Sequence, residues 1–266
     1  MKIGFIGCGN MGQAILKGMI DKKLVSSKNI FVCDKDKKKI SNVTKKYKVK
    51  ALKTVIDLVE KVQVIIFAIK PQDSELVLSE ISPYIDHKKL LISIMAGITT
   101  KKIEKHFIKG ISVARVMPNM AAFVGQSVSS IAYNNYVSAK HKKIVKKIFS
   151  AVGEIYETIE KKKDVITALS GSGPAYFFYM IEAFVDAGIK NGLSRKDALL
   201  LIVNTLKGSA EVLKNTDMDP LELRKMVTSK RGTTEAAIDV FNRSDLKKII
   251  IEAVTAAKKR SEEISK

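Results

Sequence analysis

Up to about residue 160, short apolar runs alternate with segments whose apolar residues recur at helical spacing. The apolar runs predict strands at residues 2–6, 29–33, 62–69, 90–95, 111–117, 127–133 and 153–159. The segments between them predict helices at residues 11–20, 36–47, 73–81 and 140–150. Strands that alternate with helices build βαβ units, so the pattern indicates an α/β fold with a doubly wound, largely parallel sheet.

After about residue 160 the spacing of apolar residues is helical throughout. Helices are predicted over residues 177–189, 194–213, 234–241 and 244–264, and Ser194 with Asp197 resembles a capping box at the start of the second. No long Pro-rich or Gly/Ser-rich linker separates the two patterns. We therefore expect a Rossmann-type domain at residues 1–159 followed by an all-α domain at residues 160–266.

A glycine-rich string, Gly7-Cys8-Gly9-Asn10-Met11-Gly12, lies between the first predicted strand and the first predicted helix. In this context G-x-G-x-x-G is typical of a dinucleotide site, because Gly7 permits a tight turn and Gly9 lets the backbone approach a pyrophosphate. The helix that follows points its N–H groups at the anion. The alternative is a plain glycine turn that binds nothing.

The residues after the second predicted strand leave the choice of cofactor open. Asp34 follows Gly12 by about 20 residues, where NAD enzymes place the acidic residue that binds the ribose 2′-hydroxyl. Lys35 and the lysines at residues 37–39 come directly after it and could hold the 2′-phosphate of NADP. The alternative for these lysines is a solvated helix face.

Composition narrows the class of protein. With 46% hydrophobic and 28% charged residues, the 266-residue chain can build packed cores and is not disordered. Cys8 and Cys33 cannot form a disulfide framework, and the three histidines are too dispersed for a metal site. No signal peptide is recognisable, and no apolar run approaches the ~18 residues of a membrane span. We expect a metal-free, cytoplasmic protein that does not contact membranes.

The formal net charge of +20 raises the alternative of a nucleic-acid-binding protein. However, six of the 47 basic residues are arginine and the rest are lysine, whereas base readout favours the planar arginine side chain. The lysines are also dispersed in small groups, such as residues 161–163. A solvated lysine surface is therefore favoured over specific nucleic-acid binding.

Six segments, in order along nearly the whole chain, resemble the pyrroline-5-carboxylate reductase family. They are G-F-I-G-C-G-N-M at residues 4–11, A-I-K-P at 68–71, S-I-M-A-G-I-T at 93–99, R-V-M-P-N at 115–119, L-S-G-S-G-P-A-Y at 169–176, and residues 226–236 with G-T-T at 232–234. The resemblance implies a Rossmann domain and a helical domain that dimerises. It also implies reduction of 1-pyrroline-5-carboxylate to L-proline, the last step of proline biosynthesis, with NADPH or NADH. Together with the lysines after Asp34, it leads us to expect a modest preference for NADPH.

The motifs that carry the resemblance also provide the candidate site residues. The candidate cofactor-binding residues are Gly7, Cys8, Gly9, Asn10, Met11, Gly12, Asp34, Lys35, Ala68, Lys70, Pro71, Ala96 and Gly97. The candidate substrate-binding residues are Met117, Pro118, Asn119, Ser170, Gly171, Ser172, Gly173 and Gly232. The candidate catalytic residues are Thr234, Ser229 and Thr233, with Thr234 expected closest to the imine.

Small polar residues are sufficient for this chemistry, because the nicotinamide supplies the hydride and the protein needs neither a nucleophile nor a metal. Residues 170–173 precede Pro174 at a predicted helix start, and residues 229–234 lie at another, so both segments could offer N–H groups to a carboxylate. The alternatives are a tight structural turn for the first segment and ordinary helix capping for the second. Residues 117–119 follow a strand end, where α/β sheets bind ligands, although they could simply form a turn.

Three positions depart from the family's pattern. Ser229-Lys230-Arg231-Gly232 stands where the family usually has S-P-G-G, and Met120-Ala121-Ala122 stands where it continues T-P-A after the asparagine. Val55 occupies a position at which the family often has an asparagine. The first two departures bear on the shape of the substrate pocket, and the third bears on contacts with the cofactor.

A hydroxyacid dehydrogenase with a similar glycine-rich opening is the alternative enzyme. That class relies on a catalytic lysine in a G-x-x-x-K context, whereas residues 171–175 read G-S-G-P-A and contain no lysine.

Overall fold

The computed structural model describes residues 1–108 and 110–265, and these form two compact units. Unit 1 contains residues 1–172 and the residues from Ala257 onward, and unit 2 is Gly173–Ala256. The domain boundary predicted after residue 159 stays a prediction.

Unit 1 is built on one eight-stranded sheet with the order β3-β2-β1-β4-β5-β6-β7-β8. The strands are β1 (Ile3–Ile6), β2 (Ile30–Cys33), β3 (Lys50–Ala51), β4 (Val64–Phe67), β5 (Leu90–Ser93), β6 (Ser112–Met117), β7 (Ser127–Tyr133) and β8 (Gly153–Glu157). All neighbouring strands are parallel except β6 and β7, which run antiparallel. The predicted α/β class with a parallel-dominated sheet is confirmed.

Helices cover both faces of this sheet. They are α1 (Asn10–Asp21), α2 (Lys37–Tyr47), α3 (Val55–Lys61), α4 (Ser74–Ile81), α5 (Thr100–Glu104), α6 (Ala139–Phe149) and α7 (Lys163–Ile166). Ile15 of α1 and Phe149 of α6 pack into one buried cluster with the sheet, whereas Leu58 of α3 and Leu78 of α4 pack into the other. Because both faces are covered, β1, β4 and β5 are buried along their whole length, which explains their continuous apolar sequences.

The spacing of apolar residues did not predict several short elements of unit 1, among them β3, α3 and α5. Each spans seven residues or fewer, too few for a periodicity to emerge. Helix α3 nevertheless carries a local signal, because Thr54 and Asp57 form a reciprocal capping box at its start.

The last turns of the chain belong to unit 1. Ser261 and Ser265 both donate hydrogen bonds to Asp164 Oδ1, at 2.7 and 3.3 Å. Gly97, with φ +72°, lies against Ile264, and a Cβ there would approach the Ile264 carbonyl oxygen to 2.8 Å. Glycine at this position therefore serves both the left-handed backbone and the close approach of the C-terminal helix.

Unit 2 is helical, as predicted. It contains α8 (Gly173–Lys190), α9 (Arg195–Lys214), α10 (Pro220–Met226), α11 (Thr233–Arg243) and the first half of α12 (Leu246–Ser265), as far as Ala256. Helix α10 was not predicted, although Asp219 and Glu222 form a capping box at its start and Pro220 occupies its first position. Among the described residues, no helix has both the length and the apolar character needed to cross a membrane.

Candidate active site

Most predicted cofactor residues, and the loop at residues 117–119, gather at one edge of the sheet in unit 1. Strands β1, β2, β4, β5 and β6 are parallel, so the residues that follow them lie at the same edge. These residues are Gly7 after β1, Asp34 after β2, Ala68 after β4, Ala96 and Gly97 after β5, and Pro118 and Asn119 after β6. Strand β1 stands between β2 and β4, so the chain reverses its direction of progress through the sheet here. Open α/β sheets bind ligands at such a reversal.

The three glycines after β1 serve different purposes. Gly7 has φ +100°, and a Cβ there would lie 2.5 Å from the Ala68 carbonyl oxygen. A Cβ on Gly12 would lie 3.0 Å from Ala68 Cβ, so this glycine lets α1 approach the end of β4. At Gly9, in contrast, the nearest described atom outside the neighbouring residues is 3.8 Å away. Packing therefore demands glycine at positions 7 and 12, whereas Gly9 leaves space that a ligand could use.

The start of α1 is suited to an anion. The first intrahelical hydrogen bond runs from Gln13 N to Gly9 O at 3.0 Å, so the N–H groups of residues 10–12 precede it. Residues 10–13 carry no acidic side chain, and the helix dipole favours negative charge at this end. Gln13 Nε2 also donates to the Cys8 carbonyl oxygen at 2.8 Å, which holds the turn in place. The segment thus fits the pyrophosphate of a dinucleotide.

Asp34 fastens the glycine turn to the end of β2. Its Oδ2 accepts a hydrogen bond from the Cys8 N–H at 2.6 Å, and its Oδ1 accepts one from the Asp36 N–H at 2.8 Å. Burial, the Asp34 carboxylate and the neighbouring Cys33 together raise the pKa of the Cys8 thiol to about 12. Burial and the same carboxylate also raise the pKa of Cys33. Both thiols are therefore neutral near pH 7 and poor nucleophiles.

The candidate cofactor residues after β4 and β5 differ in exposure. Lys70 is exposed and precedes the 3₁₀ turn Pro71–Asp73, which begins at the proline. Ala96 is exposed, whereas Gly97 is buried against the C-terminal helix. The Gly97 packing contact was not foreseen from the sequence.

Asn119 joins two of the predicted substrate segments. Its Nδ2 donates to the Ser170 carbonyl oxygen at 3.2 Å, while its Oδ1 accepts from the Ala121 N–H at 3.1 Å. A Cβ on Gly171 would lie 3.6 Å from Met117 Cε, so the two segments also pack together. The Asn119 side chain thus holds the loop after β6 against the turn at Ser170. Sequence reasoning assigned Asn119 to the substrate and missed this fastening.

The backbone of residues 170–172 is not a helix start. Residues Thr167–Gly171 form a π-helix, and the Ser172 N–H donates to the Thr167 carbonyl oxygen at 2.9 Å. The expectation that this segment offers its backbone N–H groups to a ligand is therefore wrong for Ser172. Gly173 is the first residue of α8. Pi-helical turns are rare and occur frequently at functional sites, so the segment remains a candidate.

Two buried basic side chains belong to neighbouring elements of unit 1, Arg115 to β6 and Lys163 to the first position of α7. The Arg115 side chain, only 4% exposed, forms an ion pair with Glu160 at 2.7 Å. Lys163 is fully buried and donates to Ser130 O at 2.7 Å and to Ser130 Oγ at 2.9 Å. Burial, reinforced by the Arg115 charge and opposed by Glu160, lowers the pKa of Lys163 to about 7. In the sequence, Lys163 was indistinguishable from the two lysines that precede it.

In unit 2, the candidate catalytic residues lie at the start of α11. Gly232 is the N-cap residue, and the first intrahelical hydrogen bond runs from Ala236 N to Gly232 O at 3.2 Å, so the N–H groups of residues 233–235 precede it. Thr234 is half-buried, whereas Ser229 and Thr233 are exposed. Because the N-cap residue is a glycine, ordinary capping by a hydroxyl does not account for this cluster.

Arg231 occupies a strained position beside this helix start. Its φ is +60°, and its N–H donates to Glu235 Oε2 at 2.6 Å. A Cβ on Gly232 would collide with Ser229 Oγ, so glycine is needed there. The departure from S-P-G-G therefore places an arginine in a left-handed conformation that glycine adopts at lower cost.

The described residues contain no group of three His, Cys, Asp or Glu side chains that could hold a metal ion.

Two family models match the chain. The model described as pyrroline-5-carboxylate reductase dimerisation matches residues 160–264, and the model described as NADP oxidoreductase, coenzyme F420-dependent, matches residues 2–97. Similar curated proteins include the pyrroline-5-carboxylate reductase of Methanosarcina acetivorans, which is 37% identical over 265 residues, with 100% of this chain and 98% of the relative covered. The Synechocystis enzyme of the same name is 36% identical, with 100% and 99% covered.

Solved structures show the same likeness. The Plasmodium falciparum pyrroline carboxylate reductase with NADP bound has a TM-score of 0.92 and 33% identity, and the comparison covers 100% of this chain and 98% of that one. The Coxiella burnetii pyrroline-5-carboxylate reductase has a TM-score of 0.93 and 34% identity, with the same coverage.

Burial of Lys163 predicts a pH-dependent contribution to stability. The pKa of this lysine falls from 10.5 to about 7 on folding, so between these pH values the unfolded chain binds more protons at this site than the folded chain. The difference in free energy of unfolding, wild type minus Lys163→Met, should therefore increase from about pH 7 to pH 10, as measured by urea denaturation. A difference that is constant or shrinks over this range would contradict the burial of a neutral amine.

Proposed function

The chain belongs to the pyrroline-5-carboxylate reductase family, and on that premise we propose that it reduces 1-pyrroline-5-carboxylate to L-proline with NADPH or NADH. The single observation that carries the proposal is the glycine turn at the reversal of strand order, with the family's other unit 1 motifs beside it. The same motifs occur in order over a chain that matches its relatives from end to end.

The cofactor would be held at the edge of the sheet by unit 1. Gly9 and the N–H groups at the start of α1 would bind the pyrophosphate. Asp34 and Lys35 would lie beside the adenosine ribose, and Ala68, Lys70, Pro71, Ala96 and Gly97 would line the site further along the edge. When bound, the reduced nicotinamide supplies a hydride to the imine carbon. The modest preference for NADPH expected from the lysines is part of this proposal.

The imino acid needs a partner for its carboxylate and one for its ring nitrogen. The N–H groups at the start of α11, with the hydroxyls of Ser229 and Thr233, would bind the carboxylate. The Thr234 hydroxyl would hydrogen-bond the ring nitrogen as it becomes an amine. The proton can arrive with the substrate or through water, so this hydroxyl orients and stabilises the nitrogen without being an obligatory acid.

The loop at residues 117–119 and the turn at residues 170–173 would shape the substrate pocket. Met117 and Gly171 pack together, and Asn119 fastens the loop to the Ser170 carbonyl oxygen. We assign Asn119 to positioning, since its side-chain amide is already engaged on both sides.

The proposed working form is a homodimer in the cytoplasm, joined through the helical part of the chain. In unit 2, whose residues 173–256 are all described, the buried hydrophobic residues are Val185 and Ala198, whereas many larger hydrophobic side chains are exposed. The exposed ones on α8 and α9 include Phe177, Phe178, Phe184, Leu199, Leu200, Leu201 and Val203. Apolar surface of this extent is typical of a protein–protein interface. The name of the matching family model supports the same proposal.

Removing the Thr234 hydroxyl should slow the reaction and leave cofactor binding intact. Thr234→Ala should lower kcat by about ten- to a hundredfold, because the nitrogen loses a positioned hydrogen bond in the transition state. Thr234→Ser keeps the hydroxyl and should recover most of the rate. The measurement is the loss of NADPH absorbance with 1-pyrroline-5-carboxylate, together with titration of NADP⁺ binding. Wild-type kinetics in a folded Ala variant would refute the assignment, and loss of NADP⁺ binding would place Thr234 elsewhere.

Charging the exposed face of α9 should separate the dimer. Leu200 and Leu76 are both highly exposed leucines, but Leu200 lies on α9 of unit 2 and Leu76 on α4 of unit 1. Sizing with light scattering at micromolar concentration should give a dimer for the wild type and Leu76→Glu, and a monomer for Leu200→Glu, because a carboxylate is costly to bury. A monomeric wild-type chain would contradict the proposal.

A further inference from the structure

An ion pair joins the loop after β2 to the loop after β4, on either side of the glycine turn. Lys35 follows Asp34 at the end of β2, and Asp73 closes the 3₁₀ turn after β4. Lys35 Nζ lies 3.0 Å from each carboxylate oxygen of Asp73. Since β1 stands between β2 and β4, this contact links the two loops that flank the proposed cofactor cradle.

The two acidic groups at the end of β2, Asp34 and Asp36, already have partners. Both oxygens of Asp34 accept backbone N–H groups, so this carboxylate is fixed in the wall of the cradle. Asp36 caps α2 by accepting from the N–H groups of Lys38 and Lys39. Lys35 differs from these groups, because its partner comes from across the glycine turn.

The ion pair between Lys35 and Asp73 can be broken at a small cost in free energy. The Lys35 side chain is 79% exposed and that of Asp73 31% exposed. Ion pairs between exposed side chains contribute little to stability, because water and salt screen them. An ammonium in such a pair can therefore leave its carboxylate for a stronger anion at small cost.

We infer that Lys35 binds the 2′-phosphate of NADPH and that Asp73 competes with this phosphate for the same ammonium. The inference rests on the proposed function, since it concerns the cofactor of that reaction. The adenosine ribose of a dinucleotide lies at the end of the second strand, beside the residue at position 34, and Lys35 is its neighbour. A phosphate monoester carries more charge than a carboxylate, so Lys35 exchanges Asp73 for the phosphate when NADPH binds. NADH lacks this phosphate and leaves the pair intact. Asp73 thereby moderates the preference between the two cofactors.

Binding of NADP⁺ and NAD⁺ to the intact protein, measured by calorimetry at fixed ionic strength, tests this exchange without relying on activity. Asp73→Asn frees Lys35 and should tighten NADP⁺ about three- to tenfold, with NAD⁺ changed less than about twofold. Lys35→Met should weaken NADP⁺ about tenfold or more and leave NAD⁺ unchanged. In the double variant, NADP⁺ should bind as in Lys35→Met, because Asp73 acts only through this lysine.

A matched control separates the exchange from general charge effects. Lys17 and Asp21 form another exposed ion pair, on α1, so Asp21→Asn changes the net charge by the same amount. It should alter the binding of both dinucleotides equally and only slightly.

Three results would overturn the inference. They are an unchanged or weakened affinity of Asp73→Asn for NADP⁺, an equal gain for NAD⁺, and a gain that persists when Lys35 is absent. Each of these results is compatible with a wild-type protein that binds NADP⁺ and reduces the imine, and the proposed function would then stand. A wild-type chain that binds neither dinucleotide overturns both.

Discussion

The close approach of the glycine turn after β1 to Ala68 is the constraint on which unit 1 depends. Gly7 and Gly12 have almost no space beside the end of β4, and Asp34 holds the same turn from the side of β2. The turn is therefore fixed between two strand ends, and α1 leaves it with its N–H groups directed outward over the edge of the sheet. The position of Gly9 and the start of α1 follow from this packing arrangement.

Unit 2 lacks such tight internal packing, because its helices bury few large side chains within one chain. Helices that bury so little apolar surface do not offset the conformational entropy lost on folding, so they need further apolar burial to be stable. In the proposed dimer, association of two copies would supply that surface, and folding of the helical part would then be coupled to assembly. The start of α11 is the polar exception in this unit, since Gly232 and the residues after it present N–H groups and hydroxyls instead of apolar side chains.

Sequence reasoning recovered the elements whose signals are local and repeated. The continuous apolar strands β1, β4 and β5 and the glycine motif were predicted because burial on both faces and tight turns leave direct traces in composition. The short helices α3 and α10 lack a periodicity, although their capping boxes were readable. The burial of Lys163, the fastening by Asn119 and the partner of Lys35 depend on contacts between distant segments, so no local pattern could reveal them. The π-helical backbone of Thr167–Gly171 was hidden by a glycine-rich sequence that also suits a helix start.

In the proposed site, the space beside Gly9 is occupied by a dinucleotide, since packing within the chain does not require a glycine there. Replacing Gly9 with alanine tests this directly, since its extended backbone, φ −68°, suits any residue and the nearest described atom would be 3.8 Å from the new methyl group. We predict that Gly9→Ala unfolds in urea at the wild-type midpoint but binds NADP⁺ at least about tenfold more weakly, because the methyl group occupies the space of the pyrophosphate. An Ala variant that is equally stable and binds NADP⁺ with wild-type affinity would contradict it.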